Sequence, residues 1–153
     1  MSESDEDVRV VSAGREIAAE AGVVFELIAD PHQQPRWDGN ENLVEVVAGQ
    51  RVREVGDVFG MRITQGGIRD NHVVEFEEGR LIAWLPAEQG GDVLGHLWRW
   101  EVEALGPGRS RVTHTYDWSK LTDENRFPKA RATTSDRLLA SVDRLAEVAE
   151  SGR

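Results

Sequence analysis

One stretch constrains the fold of this chain more than any other: HLWRWEVEALGPGRSRVTHTYDW, from His96 to Trp118. It holds three of the five tryptophans, two of the four histidines and the only tyrosine, all at even positions. Successive residues of a strand point to opposite faces. His96, Trp98, Trp100 and Val102 therefore share one face of a first arm, against Leu97, Arg99, Glu101 and Glu103. In a second arm Val112, His114, Tyr116 and Trp118 oppose Arg111, Thr113, Thr115 and Asp117. The charged sets belong in water, so the aromatic sets face the interior. Paired residues lie on the same face, so even must pair with even. The connecting loop then holds an odd number of residues, either Gly106–Gly108 or Leu105–Arg109. The expected pairs are Trp100 with His114, Trp98 with Tyr116, and His96 with Trp118.

The rest of the chain fits around this hairpin. Val8 to Ala19 reads as a first strand with a bulge at Ala13-Gly14. EAGVVFELIAD carries a helical stripe and ends at Pro31, and HQQPRW is a second, short helix or turn. Segments 43–47, 57–64, 71–77 and 80–86 are rich in β-branched and aromatic residues and read as strands. EEGR at 77–80 is a tight turn, and 87–95 is a loop. Phe59, Met61 and Ile63 face inward on one strand. Because Glu75 and Glu77 belong outside, His72, Val74 and Phe76 are expected inward on the next. For strand 80–86 two faces stay open: Ile82 with Trp84, or Leu81 with Ala83 and Leu85. The last 25 residues change to a helical period, with Leu138, Leu139, Val142, Leu145, Ala146 and Ala149 on one face. Continued backwards, that stripe passes through Thr134, Arg131 and Phe127, with Pro128 in the first turn. The expected fold class is α+β. A curved antiparallel sheet of about seven strands grips one long C-terminal helix, and two short helices follow the first strand.

Composition narrows the function. The 153 residues suit one domain, here 8–150, behind an acidic tail over 1–7 that reads as disordered. The net charge is −10, and the body stays acidic without the tail, so nucleic acid is not an expected partner. No apolar run approaches the roughly 18 residues that span a bilayer, and the polar N-terminus is unlike a signal peptide. No membrane insertion and a cytoplasmic location are expected. The absence of cysteine excludes disulfides and thiolate-held metals. His72, His96 and His114 share an expected face, yet no paired metal-ligand spacing such as H-E-x-x-H occurs, so neither a metal nor another cofactor is expected. The glycine-rich pieces lack phosphate-loop spacing, and there is no nucleophile elbow.

The inward face carries more polar tips than a sealed core takes cheaply, since each unsatisfied one costs about 1–3 kcal/mol. Where the helix should cover the broad rings it offers Ala130, Thr133 and Thr134. Large apolar walls with a few polar tips under an incomplete cover describe a ligand cavity. Its expected contacts are Phe59, Met61, His72, Phe76, Trp84 and His96, with Trp98, Trp100, His114, Tyr116, Thr134 and Leu138. His96, His114 and Tyr116 are the candidates for acid–base chemistry, with Thr134 and Arg131 opposite. A histidine tuned near neutral pH could move a proton on a β-keto compound while Tyr116 holds an enolate oxygen.

The chain resembles the START-like, helix-grip (SRPBCC) superfamily, in particular its polyketide cyclase/dehydrase and lipid-transport group. The residues carrying the resemblance are Val24-Phe25, Ile28, Asp30-Pro31, Pro35 and Trp37, then the hairpin WRWEVEALGPGRSRVTHTYDW and the terminal helix. Trp37 is read as a packing anchor. The resemblance implies a cavity between the sheet and the long helix for lipids, polyketides or other apolar molecules, which some members cyclise or dehydrate. Three functions follow: binding of a hydrophobic or aromatic small molecule, polyketide cyclisation or dehydration, or a non-catalytic interaction domain with a filled core. The protein is expected as a monomer or homodimer.

Overall fold

The computed structural model describes residues 8–38, 43–64 and 66–151. The acidic segment expected as a disordered tail lies outside the described residues. Seven strands form one antiparallel sheet: β1 (Val10–Ile17), β2 (Leu43–Ala48), β3 (Val58–Ile63), β4 (Ile68–Glu77), β5 (Leu81–Glu88), β6 (Leu97–Gly106) and β7 (Arg109–Asp117). Their order is β1-β7-β6-β5-β4-β3-β2. Helices α1 (Ala21–Ala29) and α2 (Gln34–Trp37) follow β1, joined by a 3₁₀ turn over Pro31–Gln33. Helices α3 (Phe127–Ala132) and α4 (Ser135–Glu150) follow β7. Among the described residues no helix is long and apolar enough to cross a membrane.

The hairpin register is the even-with-even one. Trp98 lies opposite Tyr116 and Trp100 opposite His114, as far as Ala104 opposite Ser110. Beyond a bulge between Ala104 and Gly106 the ladder continues to Gly106 opposite Arg109, so the turn itself holds two residues, not the expected three or five, and the bulge keeps the even pairing upstream. Pro107 and Gly108 make the turn, with φ +72° at Gly108, the proline–glycine order of a type II turn. The third expected pair does not form. β6 begins only at Leu97, and the Trp118 N–H donates to Arg9 O instead. The Trp118 ring packs 5.4 Å from Phe127.

Three further expectations change. No bulge breaks β1, which pairs with β7 without a slip from Val10 to Ile17. Gly14 serves close approach, since a Cβ there would stand 2.7 Å from Val112 O. In β4 a bulge does occur, between Val73 and Glu75. Glu75 and Phe76 keep their expected faces, while upstream of the bulge every side chain is reversed. Asn71 and Val73 are buried, Val74 is exposed, and His72 stands on the outer face between Val58 and Leu85. The long helix is broken at Thr133-Thr134, two β-branched residues with modest helix propensity. Pro128 stands in the first turn of α3, not of α4.

β5 resolves in favour of Ile82 and Trp84, which pair with Trp100 and Trp98 on the inner face. On its outer face Arg99 reaches across Ala83 to Glu75 with two hydrogen bonds of 2.7 and 2.8 Å. The interior divides into two clusters. One gathers α1, Trp37, Phe59, Met61, Ile82, Trp84, Trp100 and the C-terminal part of α4. The other gathers Tyr116, Trp118, Leu121, Ala130 and Leu138. Trp98 touches both. Arg15 fastens β1 to α4 through Asp143 at 2.9 Å. The close approach at Gly14 gives a direct check: Gly14→Ala should cost about 1–3 kcal/mol in urea unfolding, because the sheet must shift to admit the methyl group.

Candidate functional site

Between the two clusters lies a cavity of about 380 Å³. Its sheet wall is built from alternate residues of adjacent strands: Asn71 on β4, Trp84 and Pro86 on β5, Trp98 and Trp100 on β6, His114 and Tyr116 on β7. Leu138 and Ser141 of α4 face it, with Ala130 and Lys129 of α3. Trp37 closes one side. Its Nε1 donates to Leu27 O at 2.8 Å and its ring stands edge-on to Trp100 at 5.1 Å, so the packing anchor is also part of the wall.

The rings form a continuous layer. His114 lies flat on Trp100 with ring centres 3.7 Å apart and 12° between planes, and on its other side stacks with Trp98 at 5.5 Å. Tyr116 lies 4.4 Å from Trp98, and His96 stands edge-on to Tyr116 at 5.8 Å. His96 thus reaches the cavity although it is no part of the ladder. His114 Nδ1 lies 3.0 Å from Arg99 O, an acceptor only, so Nδ1 carries the hydrogen and Nε2 keeps its lone pair.

Burial sets the charge states. It pushes both His96 and His114 down to about 4. At His96 the cations Arg126, Arg69 and Lys129 add to the effect. At His114 the hydrogen bond to Arg99 O opposes it only in part. The expectation of a histidine poised near neutral pH is therefore overturned: both rings are neutral there and weakly basic. Burial pushes Tyr116 up to about 12, so its hydroxyl remains a donor. Among the described residues neither that hydroxyl, the Asn71 carboxamide nor His96 has a side-chain hydrogen-bond partner, and His96 Nδ1 is fully enclosed.

Of the expected contacts, Trp84, His96, Trp98, Trp100, His114, Tyr116 and Leu138 line the cavity. Five do not. Phe59 stands edge-on behind Trp84, Met61 is sealed in the same cluster, and Phe76 packs edge-on to Phe25 of α1. His72 is on the outer face, so the three histidines do not share a site, and no acid–histidine group among the described residues could hold a metal ion. Thr134 precedes α4 and is exposed, and Thr133 lines the cavity in its place. Arg131 lies over the Phe127 ring at 5.6 Å and is no part of the wall. Gln34, Asn71 and Ser141 are wall residues that sequence reasoning missed, along with Arg69, Arg126 and Lys129. Asn71 was hidden by the β4 bulge. Ser141 sits one position before Val142 in the helical stripe, a signal that was present.

This architecture has known counterparts. Residues 8–150 match the family described as polyketide cyclase/dehydrase and lipid transport. The chain belongs to that family. The uncharacterized protein Rv0088 of Mycobacterium tuberculosis is similar, at 32% identity over 86% of this chain. This chain spans about 62% of that relative's length. Among solved structures, the Zhui aromatase/cyclase of Streptomyces sp. R1128 superposes with a TM-score of 0.70 at 16% identity, over 93% of each chain. Norcoclaurine synthase of Thalictrum flavum gives 0.66 at 15% over 94% of each, and a major latex-like protein of Panax ginseng 0.62 at 18% over 92% and 96%. At these identities the likeness concerns the fold. The polyketide cyclase/dehydrase family thus supplies the helix-grip frame, and the lining described above is this chain's own.

The histidines have a measurable consequence. Unfolded, they bind protons below about pH 6.5; folded, only near their depressed value. Between about 6.5 and about 4 the unfolded state holds more protons, so stability falls as pH falls through that window. Thermal melts across the window should show a shallower decline for His96→Gln than for the parent. Equal slopes would contradict the burial described for His96.

Proposed function

We propose that this protein binds a hydrophobic or aromatic small molecule in the cavity between the sheet and the α3–α4 segment. The observation that carries this reading is a cavity walled by Trp84, Trp98 and Trp100 into which unpartnered polar side chains open. Its volume of about 380 Å³ falls in the range of small-molecule sites. Flat rings suit a flat, apolar ligand body, and Asn71, Tyr116 and His96 supply the few polar groups that orient it. A filled interaction domain accords poorly with an open volume of this size.

Cyclisation or dehydration of a polyketide-like substrate is a second reading, and Tyr116 favours it. A neutral, unpartnered hydroxyl beside stacked rings can donate to a developing enolate oxygen. The neutral histidines could accept a proton only weakly at physiological pH, so they would act mainly by orienting the carbonyl. Turnover of a poly-β-keto substrate, lost in Tyr116→Phe with folding intact, is the result expected of the second reading; binding without turnover is that of the first.

Binding itself is tested with the neutral naphthalene fluorophore prodan, whose emission reports transfer to an apolar site. The parent should bind it and enhance its emission. Leu138→Trp, which extends a larger side chain into the cavity, should weaken binding about tenfold or more. A thermal melt would show that the variant is folded. Unchanged affinity in that variant would place the probe elsewhere and remove the support for this reading.

A further inference from the structure

The charge lining the cavity is at odds with the acidic body of the protein. Arg69 of β4, Arg126 of the 3₁₀ turn before α3 and Lys129 of α3 converge at its mouth. Glu88, the residue paired with Arg69 across β4 and β5, is shared between two of them, at 2.7 Å from Arg126 and 3.7 Å from Arg69. The side chains of Arg69 and Arg126 are only 18% and 30% exposed, whereas that of Glu88 is 53% exposed. The positive charge therefore lies inside and its counter-charge outside. Arg126 Nε also stands 3.6 Å from Asp123 Oδ2, within ion-pair reach but too far for a hydrogen bond. Lys129 has no carboxylate within ion-pair distance among the described residues. Its ammonium is destabilised by burial and by Arg69, Arg126 and Arg137. The acid that does line the cavity, Asp38, already accepts from the Leu43 N–H at 2.8 Å.

Unsatisfied polar atoms mark the same place. Three buried side-chain polar atoms lack a hydrogen-bond partner among the described residues, and two of them are His96 Nδ1 and Arg126 Nε. Both residues line this cavity. Lys129 is exposed and the two arginines are half-buried, so the cost here is the mutual repulsion of like charges beside enclosed polar atoms without partners, and an anion placed among them would relieve both. A carboxylate suits the site better than a neutral oxygen because it accepts several charge-assisted hydrogen bonds at once.

We propose that the ligand of this cavity is an amphipathic carboxylic acid, its aromatic body against Trp84, Trp98 and Trp100 and its carboxylate held by Arg69, Arg126, Lys129 and His96. This rests on the reading above that the cavity takes an apolar molecule, and adds the head group. The Arg126 guanidinium and a His96 N–H donate to the carboxylate oxygens, while Lys129 supplies an unshared charge. The stacked rings offer the body no polar competition, so the acid enters tail first and the cation cluster fixes its depth.

The test compares two probes of one shape, 2-naphthoate and 2-naphthamide, by calorimetry near neutral pH. The carboxylate should bind about tenfold or more tightly, and raising the salt from about 0.05 to about 0.5 M should narrow the gap. Lys129→Gln should weaken naphthoate several-fold and leave naphthamide unchanged, and Arg126→Gln should do so more strongly. Unchanged naphthamide affinity confirms that the cavity is intact in each variant. Equal affinity for the two probes, with prodan still bound, would overturn the carboxylate assignment alone. A naphthoate preference that survives both substitutions would overturn its placement. If neither naphthalene nor prodan binds, the cavity reading fails and this inference fails with it.

Discussion

The hydrogen bond from His114 to Arg99 O, with the ring pressed against Trp100, is the contact on which the interior of this protein turns. It holds an imidazole flat in a place where a buried polar ring would otherwise need a partner. It uses the carbonyl of Arg99 on the neighbouring strand, leaving Nε2 without a side-chain partner among the described residues, in a ring that lines the cavity. With that ring fixed, Trp98 and Tyr116 fall into the same layer, and the sheet wall becomes a set of stacked planes. Polar atoms are confined to the edges of those planes, and the chemistry of the cavity is therefore edge chemistry.

The two clusters explain why a space remains at all. α4 buries Val142, Leu145, Ala146 and Ala149 against the first cluster and gives only Leu138 to the second. The helix cannot descend over the tryptophans without leaving α1 and β1. The side chains it offers near them, such as Ser141, are too small to fill the gap. Continuous burial at both ends thus leaves an unfilled middle, and Trp98 bridges the ends as a shared wall.

Much of this was legible in the chain itself, for a specific reason. In β6 and β7 charged residues alternate with aromatic ones, so parity had a physical referee at nearly every step and the register of Trp98 and Trp100 followed. In β4 the same logic worked for Glu75 and Phe76 and failed upstream, because one extra residue at Val74 reverses every face before it. Nothing in the composition of that strand marks a bulge. The break before α4 was equally concealed, since Thr133 and Thr134 are tolerated inside helices, and the weakening stripe was the only hint. Arg69, Arg126 and Lys129 are far apart in sequence and come together only through β4, a 3₁₀ turn and a separate short helix. A search for basic runs could not detect them. His96 lines the cavity from outside the ladder, so strand parity alone does not account for its position.

The break between α3 and α4 also divides labour mechanically. Lifting α4 from the sheet would uncover Leu138, Val142, Leu145, Ala146 and Ala149, whereas α3 buries a single residue, Ala130. The free-energy cost of separation scales with the apolar area uncovered. Lifting the six-residue α3 would therefore cost far less than lifting the longest helix. That segment also carries Lys129 of the cavity lining, so the part of the cover that costs least to lift is the part that bears a charge.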